Sequence, residues 1–250
     1  MFNGLRNNFI NMPPVVKNLL IINILIWGVM LIPAADHAFN RYCALYYFSS
    51  PAFQPYQLFT YMFLHGNFTH LLFNMFALFM FGPMIERAMG SARFLFYYIS
   101  CGIGAALIQL GVFALCIQPY LGMFSPEIVD RVINEGFIAL SNGMNFSDPD
   151  MAILNSYVNT PMVGASGAIY GILLAFGFLF PNVTIYLLIP PMPLKAKWFV
   201  VGYFVLELML GIGGRADGVA HFAHVGGMVF GFLLLLYWKK KGVFNNRWFF

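Results

Sequence analysis

Long apolar runs separated by short polar segments dominate the pattern of this chain. A helix that crosses a membrane needs about 20 mostly apolar residues to span roughly 30 Å of hydrocarbon. The apolar runs cover about 15–32, 67–85, 93–117, 162–180, 198–212 and 219–238. The pattern therefore predicts an all-α membrane protein with six transmembrane helices.

Two of the connecting segments are long. Residues 36–58 are rich in aromatic side chains, which favour the boundary between membrane and water. Residues 118–160 are polar, and we expect them to form an extended outer loop between the third and fourth spans. Within that loop Ser125-Pro126-Glu127 is typical of a helix start. The apolar residues that could give this helix an interfacial stripe are Ile128, Val129, Val132 and Ile133.

Composition supports a protein with many membrane spans. Hydrophobic residues make up 60% of the 250 residues and charged residues 9%, against about 45–50% and about 25% in soluble domains. The mean hydropathy is +0.76. We expect one transmembrane domain over residues 1–240 and a short cytoplasmic tail over 241–250. Three cysteines provide no disulfide framework.

The basic residues indicate how the spans are oriented. With the N-terminus in the cytoplasm, six spans place ten Lys and Arg residues on the inner side, and only Arg41, Arg131 and Arg215 on the outer side. This bias follows the positive-inside rule and puts both termini in the cytoplasm. It also accounts for the basic charge, so nucleic-acid binding is not expected. The absence of a long targeting extension favours a bacterial inner membrane.

Polar residues recur at one depth in three spans. In this orientation spans two, four and six run from outside to inside, and His70, Ser166 and His224 each lie near the start of one. Hydrocarbon offers a hydroxyl or an imidazole no water, and ionisable residues inside membranes are usually functional. The shared depth therefore predicts a hydrolytic serine site within the outer part of the bilayer.

The chemistry of such a site assigns a role to each residue. Ser166 becomes a nucleophile when a base takes its proton, and His224 is the candidate base. Asp217 is the only acid near His224 in sequence, two helical turns away and at a loop edge. We therefore expect a Ser–His dyad rather than a triad. Tyr170 lies one turn from Ser166 on the same helix face and could pack against His224.

The tetrahedral intermediate of acyl transfer needs hydrogen-bond donors for its oxyanion. His70 and Asn74 are four residues apart on span two, so both side chains point the same way. The backbone N–H of Ser166, at a helix N-terminus, could add a third donor. The sequence thus predicts an oxyanion hole formed between spans two and four.

Glycine spacing predicts which spans touch. Gly167 and Gly171 form a Gly-x-x-x-Gly pair on span four, and Gly227 and Gly231 repeat this spacing on span six. Such pairs let helix backbones approach closely. Close packing of spans four and six would bring Ser166 to His224.

Simpler interpretations exist for some of these residues. A single serine at the mouth of a span is often a helix cap, and His221 is expected to be an ordinary hydrogen-bonded residue. His65 and Asn67 could line a water path or be ordinary loop residues. A metal or proton-transport site is the alternative role for the polar cluster. A metal is disfavoured because the predicted spans place no carboxylate or thiolate at matching depth.

Taken together, the motifs resemble those of the rhomboid family of intramembrane serine proteases, over most of residues 60–235. The matching segments are His70-Leu71-Leu72-Phe73-Asn74, Glu86, Gly164-Ala165-Ser166-Gly167 with Tyr170, and Ala223-His224-Val225-Gly226-Gly227. The resemblance implies Ser166 as nucleophile, His224 as general base, and two oxyanion donors. These donors and the supporting residues are His70, Asn74, Tyr170, Gly164 and Gly167.

The resemblance also implies a fold and a substrate class. It implies a six-helix bundle in which residues 36–58 form a membrane-embedded first loop, and a reaction without cofactor or metal. Phe73 and Trp198 would lie at a lateral substrate gate between spans two and five. The partners would be the lipid bilayer and transmembrane proteins, cleaved near the outer membrane face. The 118–160 segment is longer than the corresponding connection in many relatives, and it could restrict access to the site or be a passive loop.

Two other functions remain open at this point. A catalytically silent rhomboid-like protein would bind membrane clients without cutting them, but such proteins usually lack the serine or the histidine that this chain has. A transporter or channel would instead move ions or solutes and would not depend on Ser166. No internal repeat is evident, which disfavours an inverted-repeat transporter.

Overall fold

The fold is known from a computed structural model that describes residues 11–186, 192–213 and 220–244. The helices of these residues are α1 (Pro14–Met30), α2 (Pro33–Cys43), α3 (Gln57–Thr60), α4 (Phe68–Met89), α5 (Ser91–Met123), α6 (Pro126–Ser141), α7 (Pro149–Asn159), α8 (Ser166–Leu179), α9 (Ala196–Ile212) and α10 (His221–Lys240). Strands β1 (Thr184–Tyr186) and β2 (Pro193–Lys195) form an antiparallel hairpin in which Ile185 pairs with Leu194. Asp217 and Arg215, named above, lie outside the described residues.

Each of the six apolar stretches contains a helix. Within the described residues α4, α5 and α10 are long and apolar enough to cross a membrane, whereas α1 and α8 are apolar but shorter. The remaining stretch corresponds to α9, which carries one buried acidic residue, Glu207. Helix α5 differs from its predicted end because it continues beyond Ile117, through Pro119, to Met123.

A buried carboxylate joins the start of α1 to the end of α4. The two oxygens of Glu86 accept hydrogen bonds from the backbone N–H groups of Val15 and Val16, at 3.0 and 2.8 Å, and from the hydroxyl of Ser91 at 2.7 Å. The first N–H groups of a helix have no partner within the helix, and a negative charge there is favoured by the helix dipole. Glu86 is 1% exposed and therefore serves as a buried cap.

The centre of the fold is the contact of α8 with α10 and α5. A Cβ atom added at Gly227 would lie 1.9 Å from the carbonyl oxygen of Gly167, so the two backbones touch where both residues are glycine. One turn further along α8, the hydroxyl of Tyr97 donates to the carbonyl oxygen of Gly171 at 2.8 Å. The Gly-x-x-x-Gly pairs thus lie at a direct helix–helix contact, as their spacing indicates.

The segment 118–160, expected to be an extended outer loop, is mostly helical. Helix α6 begins after Ser125, at the predicted helix start, and packs against α7. On α7, the side-chain amide of Asn159 donates to the carbonyl oxygen of Ile133 at 3.0 Å, and its oxygen accepts from Ser50 at 2.7 Å. Buried polar side chains of this kind need such partners. The hydrogen bonds of Asn159 therefore join α6 and α7 to the 36–58 segment.

The 36–58 segment is held by one buried amide. The oxygen of Gln57 accepts from the backbone N–H groups of Gln54 and Tyr46, at 3.1 and 3.4 Å. Its nitrogen donates to the carbonyl oxygen of Ala52 at 2.9 Å. Leu45 then pairs with Met162 through two backbone hydrogen bonds, just before α8. The segment is therefore an ordered part of the fold beside the candidate site.

Candidate active site

Ser166 and His224 form a direct hydrogen bond. Ser166 is the first residue of α8, and His224 lies in the first turn of α10. The Nε2 atom of His224 is 2.9 Å from the hydroxyl oxygen of Ser166. The close approach of Gly167 to Gly227, one residue beyond Ser166 and three beyond His224, brings these two helix starts together.

An aromatic ring supports the imidazole. The rings of Tyr170 and His224 are stacked, with centroids 4.2 Å apart and planes 10° from parallel. Tyr170 lies one helical turn after Ser166, so both side chains leave α8 on the side that faces α10. Stacking limits rotation of the imidazole and keeps Nε2 directed at the serine.

A carboxylate that the sequence reasoning missed contacts the other side of His224. The Nδ1 atom of His224 is 2.9 Å from one carboxylate oxygen of Glu207, on α9. The same oxygen is 2.7 Å from Nδ1 of His221, and the hydroxyl of Tyr170 donates to the other oxygen. Glu207 is 5% exposed. The expectation of a dyad rested on the absence of a nearby acid, and this premise does not hold, because the carboxylate of Glu207 on α9 contacts His224.

The sequence did contain a signal for this carboxylate. Glu207 is the only acidic residue inside the six apolar stretches, and a charged residue within a span is costly unless it is paired. It is five residues from the end of α9 at Ile212, a distance of about 7.5 Å along a helix. In the predicted orientation α9 ends on the outer side, where the serine was also expected.

The same cluster has the chemistry of a possible metal site. Donor atoms of Glu207, His221 and His224 all lie within 4.8 Å of one another. The premise that no carboxylate lies at this depth is thus wrong. The contacts from the two imidazoles to the carboxylate are 2.7 and 2.9 Å, whereas ligands of a tetrahedral zinc are about 3.3 Å apart, given metal–ligand bonds of 2.0–2.1 Å. The spacing fits hydrogen bonds better than shared zinc ligands.

One of the expected oxyanion donors, His70, lies near Ser166, with Gly164 next to both. A Cβ atom added at Gly164 would be 2.8 Å from Nε2 of His70 and 3.6 Å from the hydroxyl oxygen of Ser166. A residue with a side chain at position 164 would collide with the His70 ring. The φ of Gly164 is also +134°, a conformation that favours glycine. Asn74 is 6% exposed, and its side-chain nitrogen has no hydrogen-bond partner within the described residues. A buried donor without a partner is unusual.

Two neighbouring polar residues have distinct positions. The side chain of Asn67 accepts a hydrogen bond from the backbone N–H of His70 at 2.8 Å and so caps α4. His65 lies beside His70, with ring centroids 5.1 Å apart. Burial, and secondly the nearby His70, lower the pKa of His65 to about 3. His65 is therefore neutral near pH 7.

The two expected gate residues are on the outside of the bundle. Phe73 on α4 is 67% exposed and Trp198 on α9 is 59% exposed. Helix α4 packs against α1, α5 and α8, while α9 packs against α8 and α10. Both residues thus lie at the protein surface on helices that flank α8, outside the hydrogen-bonded cluster.

Comparisons with known proteins show the family of this chain. The sequence profile of the rhomboid domain matches residues 52–123 and 135–241. The chain is 30% identical to "Putative rhomboid protease YdcA" of Bacillus subtilis, over 67% of this chain and 90% of that protein. It is 33% identical to rhomboid protease AarA of Providencia stuartii, over 69% of this chain and 52% of that protein. It is 26% identical to the mitochondrial Rhomboid protein 1 of Saccharomyces cerevisiae, over 89% of this chain and 52% of that protein.

The chain thus spans most of one of these relatives and about half the length of the other two. The profile covers more than half of the chain and includes Ser166, His224 and Glu207. The resemblance inferred from the motifs is confirmed, and the apolar helices fit a membrane location. This chain is an integral membrane protein that belongs to the rhomboid family.

Proposed function

We propose that the protein is an intramembrane serine endopeptidase that cuts transmembrane segments of other membrane proteins near the outer membrane face. The observation that carries this proposal is the 2.9 Å contact between Nε2 of His224 and the hydroxyl of Ser166. A nucleophile within hydrogen-bond reach of a base that is itself oriented is the signature of nucleophilic catalysis. A protein that only bound membrane clients would have no need of this pairing.

The proposed reaction proceeds through an acyl-enzyme. The oxygen of Ser166 attacks the scissile carbonyl carbon while Nε2 of His224 takes the hydroxyl proton. His224 then gives this proton to the leaving amine as the peptide C–N bond breaks. A water molecule, deprotonated by the same imidazole, releases the acyl group and restores Ser166. No metal or cofactor takes part.

The oxyanion of the tetrahedral intermediate would be bound between α4 and α8. The side chains of His70 and Asn74 and the backbone N–H of Ser166 are the proposed donors. Asn74 supports this assignment because its buried nitrogen has no partner within the described residues. Donors that are already in place before the reaction stabilise developing charge without reorganising.

The proposed substrate path leads between α4 and α9. Both helices pack on α8, which carries Ser166, and Phe73 and Trp198 are exposed on them. A transmembrane segment could approach laterally from the bilayer at this place. With six membrane crossings and both termini in the cytoplasm, Ser166 would lie in the outer half of the membrane. A bacterial inner membrane remains our proposed location.

Cleavage by reconstituted protein tests this function. Purified wild type in liposomes should cut a model transmembrane substrate, and mass spectrometry of the products should place the cut in the outer half of the substrate segment. Ser166→Ala and His224→Ala should be folded and inactive. Cleavage by Ser166→Ala would contradict the mechanism. Binding of several substrates by wild type without any cleavage would instead favour a client-binding protein.

A further inference from the structure

We propose that Glu207 is a positioning residue of this site, which holds His224 in the tautomer and orientation needed to take the proton of Ser166. This inference rests on the proposed function and deepens it, because it replaces a Ser–His pair with a Ser–His–Glu arrangement. The acid is supplied by α9, the base by α10 and the nucleophile by α8.

The tautomer follows from the two contacts of the imidazole. A neutral imidazole has one N–H donor and one acceptor nitrogen, and a carboxylate can only accept. Nδ1 of His224 is 2.9 Å from a carboxylate oxygen of Glu207, so the proton belongs on Nδ1. The lone pair of Nε2 is then directed at the hydroxyl of Ser166, 2.9 Å away. This is the only neutral form in which His224 can act as the base.

Glu207 is itself held in place by partners on both neighbouring helices. One of its oxygens accepts from Tyr170 on α8, and the other accepts from His221 as well as from His224 on α10. A buried carboxylate is costly unless it is hydrogen-bonded and close to a compensating charge. Three converging donors meet the first condition and leave the carboxylate little freedom to rotate.

The compensating charge appears during the reaction. As the bond from the serine oxygen to the substrate carbon forms, the serine O–H bond breaks and its proton moves to Nε2, so His224 becomes an imidazolium cation. The Nδ1 proton stays on His224, and Glu207 remains an unprotonated anion. Opposite charges at hydrogen-bond distance attract more strongly in a buried site than in water. Glu207 would therefore stabilise the transition state more than the resting state.

A structural role for Glu207 is the competing explanation, since the same contacts join three helices. Glu86 offers a matched control because it is also a buried carboxylate with three hydrogen-bond donors, but it caps α1. Changing each residue to glutamine makes the same chemical change inside the same protein. Loss of a structural carboxylate should lower stability, whereas loss of a positioning carboxylate should also lower kcat of the folded enzyme.

The first experiment measures kcat, KM and unfolding temperature of full-length variants in liposomes. We expect Glu207→Gln to lower kcat by about 10⁴-fold, the loss seen when the acid of a catalytic triad is removed, with KM changed less than about threefold. Glu207→Asp, which keeps the charge, should recover part of the lost kcat. Glu86→Gln should keep kcat within about threefold. A Glu207→Gln enzyme within about threefold of wild-type kcat would overturn the inference, as would an equal kcat loss in folded Glu86→Gln.

The second experiment needs no variant at Glu207 and so applies even if those variants fail to fold. Nitrogen NMR of wild type labelled with ¹⁵N-histidine reports which ring nitrogen carries the proton, and comparison with His224→Ala identifies the signals of His224. The inference requires a proton on Nδ1 of neutral His224. A proton on Nε2 would overturn it.

Ser166→Ala in the same series separates this inference from the proposed function. If Ser166→Ala still cuts, the proposed function fails whatever Glu207 does. If cleavage depends on Ser166 but folded Glu207→Gln cuts at the wild-type rate, only the role of Glu207 fails.

Discussion

Adding one methyl group at Gly227 should disable the site without touching a catalytic side chain. The new Cβ would lie 1.9 Å from the carbonyl oxygen of Gly167, whereas ordinary contacts begin at 3.4 Å. Because the Cβ is fixed to the backbone of α10 and the oxygen belongs to the backbone of α8, the two helices must move apart by about 1.5 Å. Overpacking of this kind usually costs about 1–3 kcal/mol of stability.

The displacement acts directly on the hydrogen bond between Ser166 and His224. If the separation of the helices by about 1.5 Å adds fully to the distance between Nε2 of His224 and the hydroxyl of Ser166, that distance increases from 2.9 Å to about 4.4 Å. This is beyond hydrogen-bond range. Misplacement by about 1 Å can cost about 10²-fold in rate, so we expect Gly227→Ala to lose at least about 10²-fold in kcat. Substrate cleavage in liposomes and thermal unfolding in detergent measure the two effects.

Gly111→Ala is the matched control, since Gly111 lies on the long apolar helix α5 with no atom within 4 Å of an added Cβ. This variant should cut at the wild-type rate and be at least as stable, because alanine favours helix more than glycine does. Wild-type cleavage and stability of Gly227→Ala would refute the claim that contact of α8 with α10 assembles the site.

Four further predictions follow from single contacts. Asn74→Ala should lower kcat by about 10²–10³-fold, as expected for one oxyanion donor, without lowering the unfolding temperature; wild-type kcat would contradict its role. Gly164→Ala should abolish cleavage, because its Cβ would lie 2.7 Å from the His70 ring, and substantial activity would show that this ring can move. Glu86→Ala should lower the free energy of unfolding by about 2–4 kcal/mol by uncapping α1, as measured by denaturant unfolding in detergent, and unchanged stability would exclude a capping role. Incubation with EDTA should leave the cleavage rate unchanged, whereas a loss reversed by zinc would indicate a catalytic metal held by Glu207, His221 and His224.

The arrangement of helices was largely predictable because local patterns determine it. Apolar stretches of span length become helices whatever their partners, and glycines at four-residue spacing indicate a close helix contact. The pairing of Gly167 with Gly227 follows this rule. The 118–160 segment was harder, because its helices α6 and α7 are only partly apolar and depend on contacts such as that between Asn159 and Ser50.

The acid of the candidate site was missed for a physical reason. Sequence reasoning sought a partner for His224 nearby in the chain and considered Asp217. The contact between Glu207 and His224 joins residues 17 positions apart, on two helices that the fold brings together. The separation of two residues in the sequence says little about whether they touch when they lie on different spans. Their predicted depths in the membrane are more informative. Glu207, the only acid within a predicted span, is consistent with the depth expected of Ser166 and His224.

The central claim is that Ser166 is a nucleophile activated by His224. Its most direct measurement is labelling with a fluorophosphonate, a reagent that reacts with activated serines, followed by peptide mass spectrometry to locate the adduct. We predict a single adduct on Ser166 in wild type that disappears in folded His224→Ala. An adduct on another serine, or labelling of Ser166 that does not depend on His224, would contradict the account.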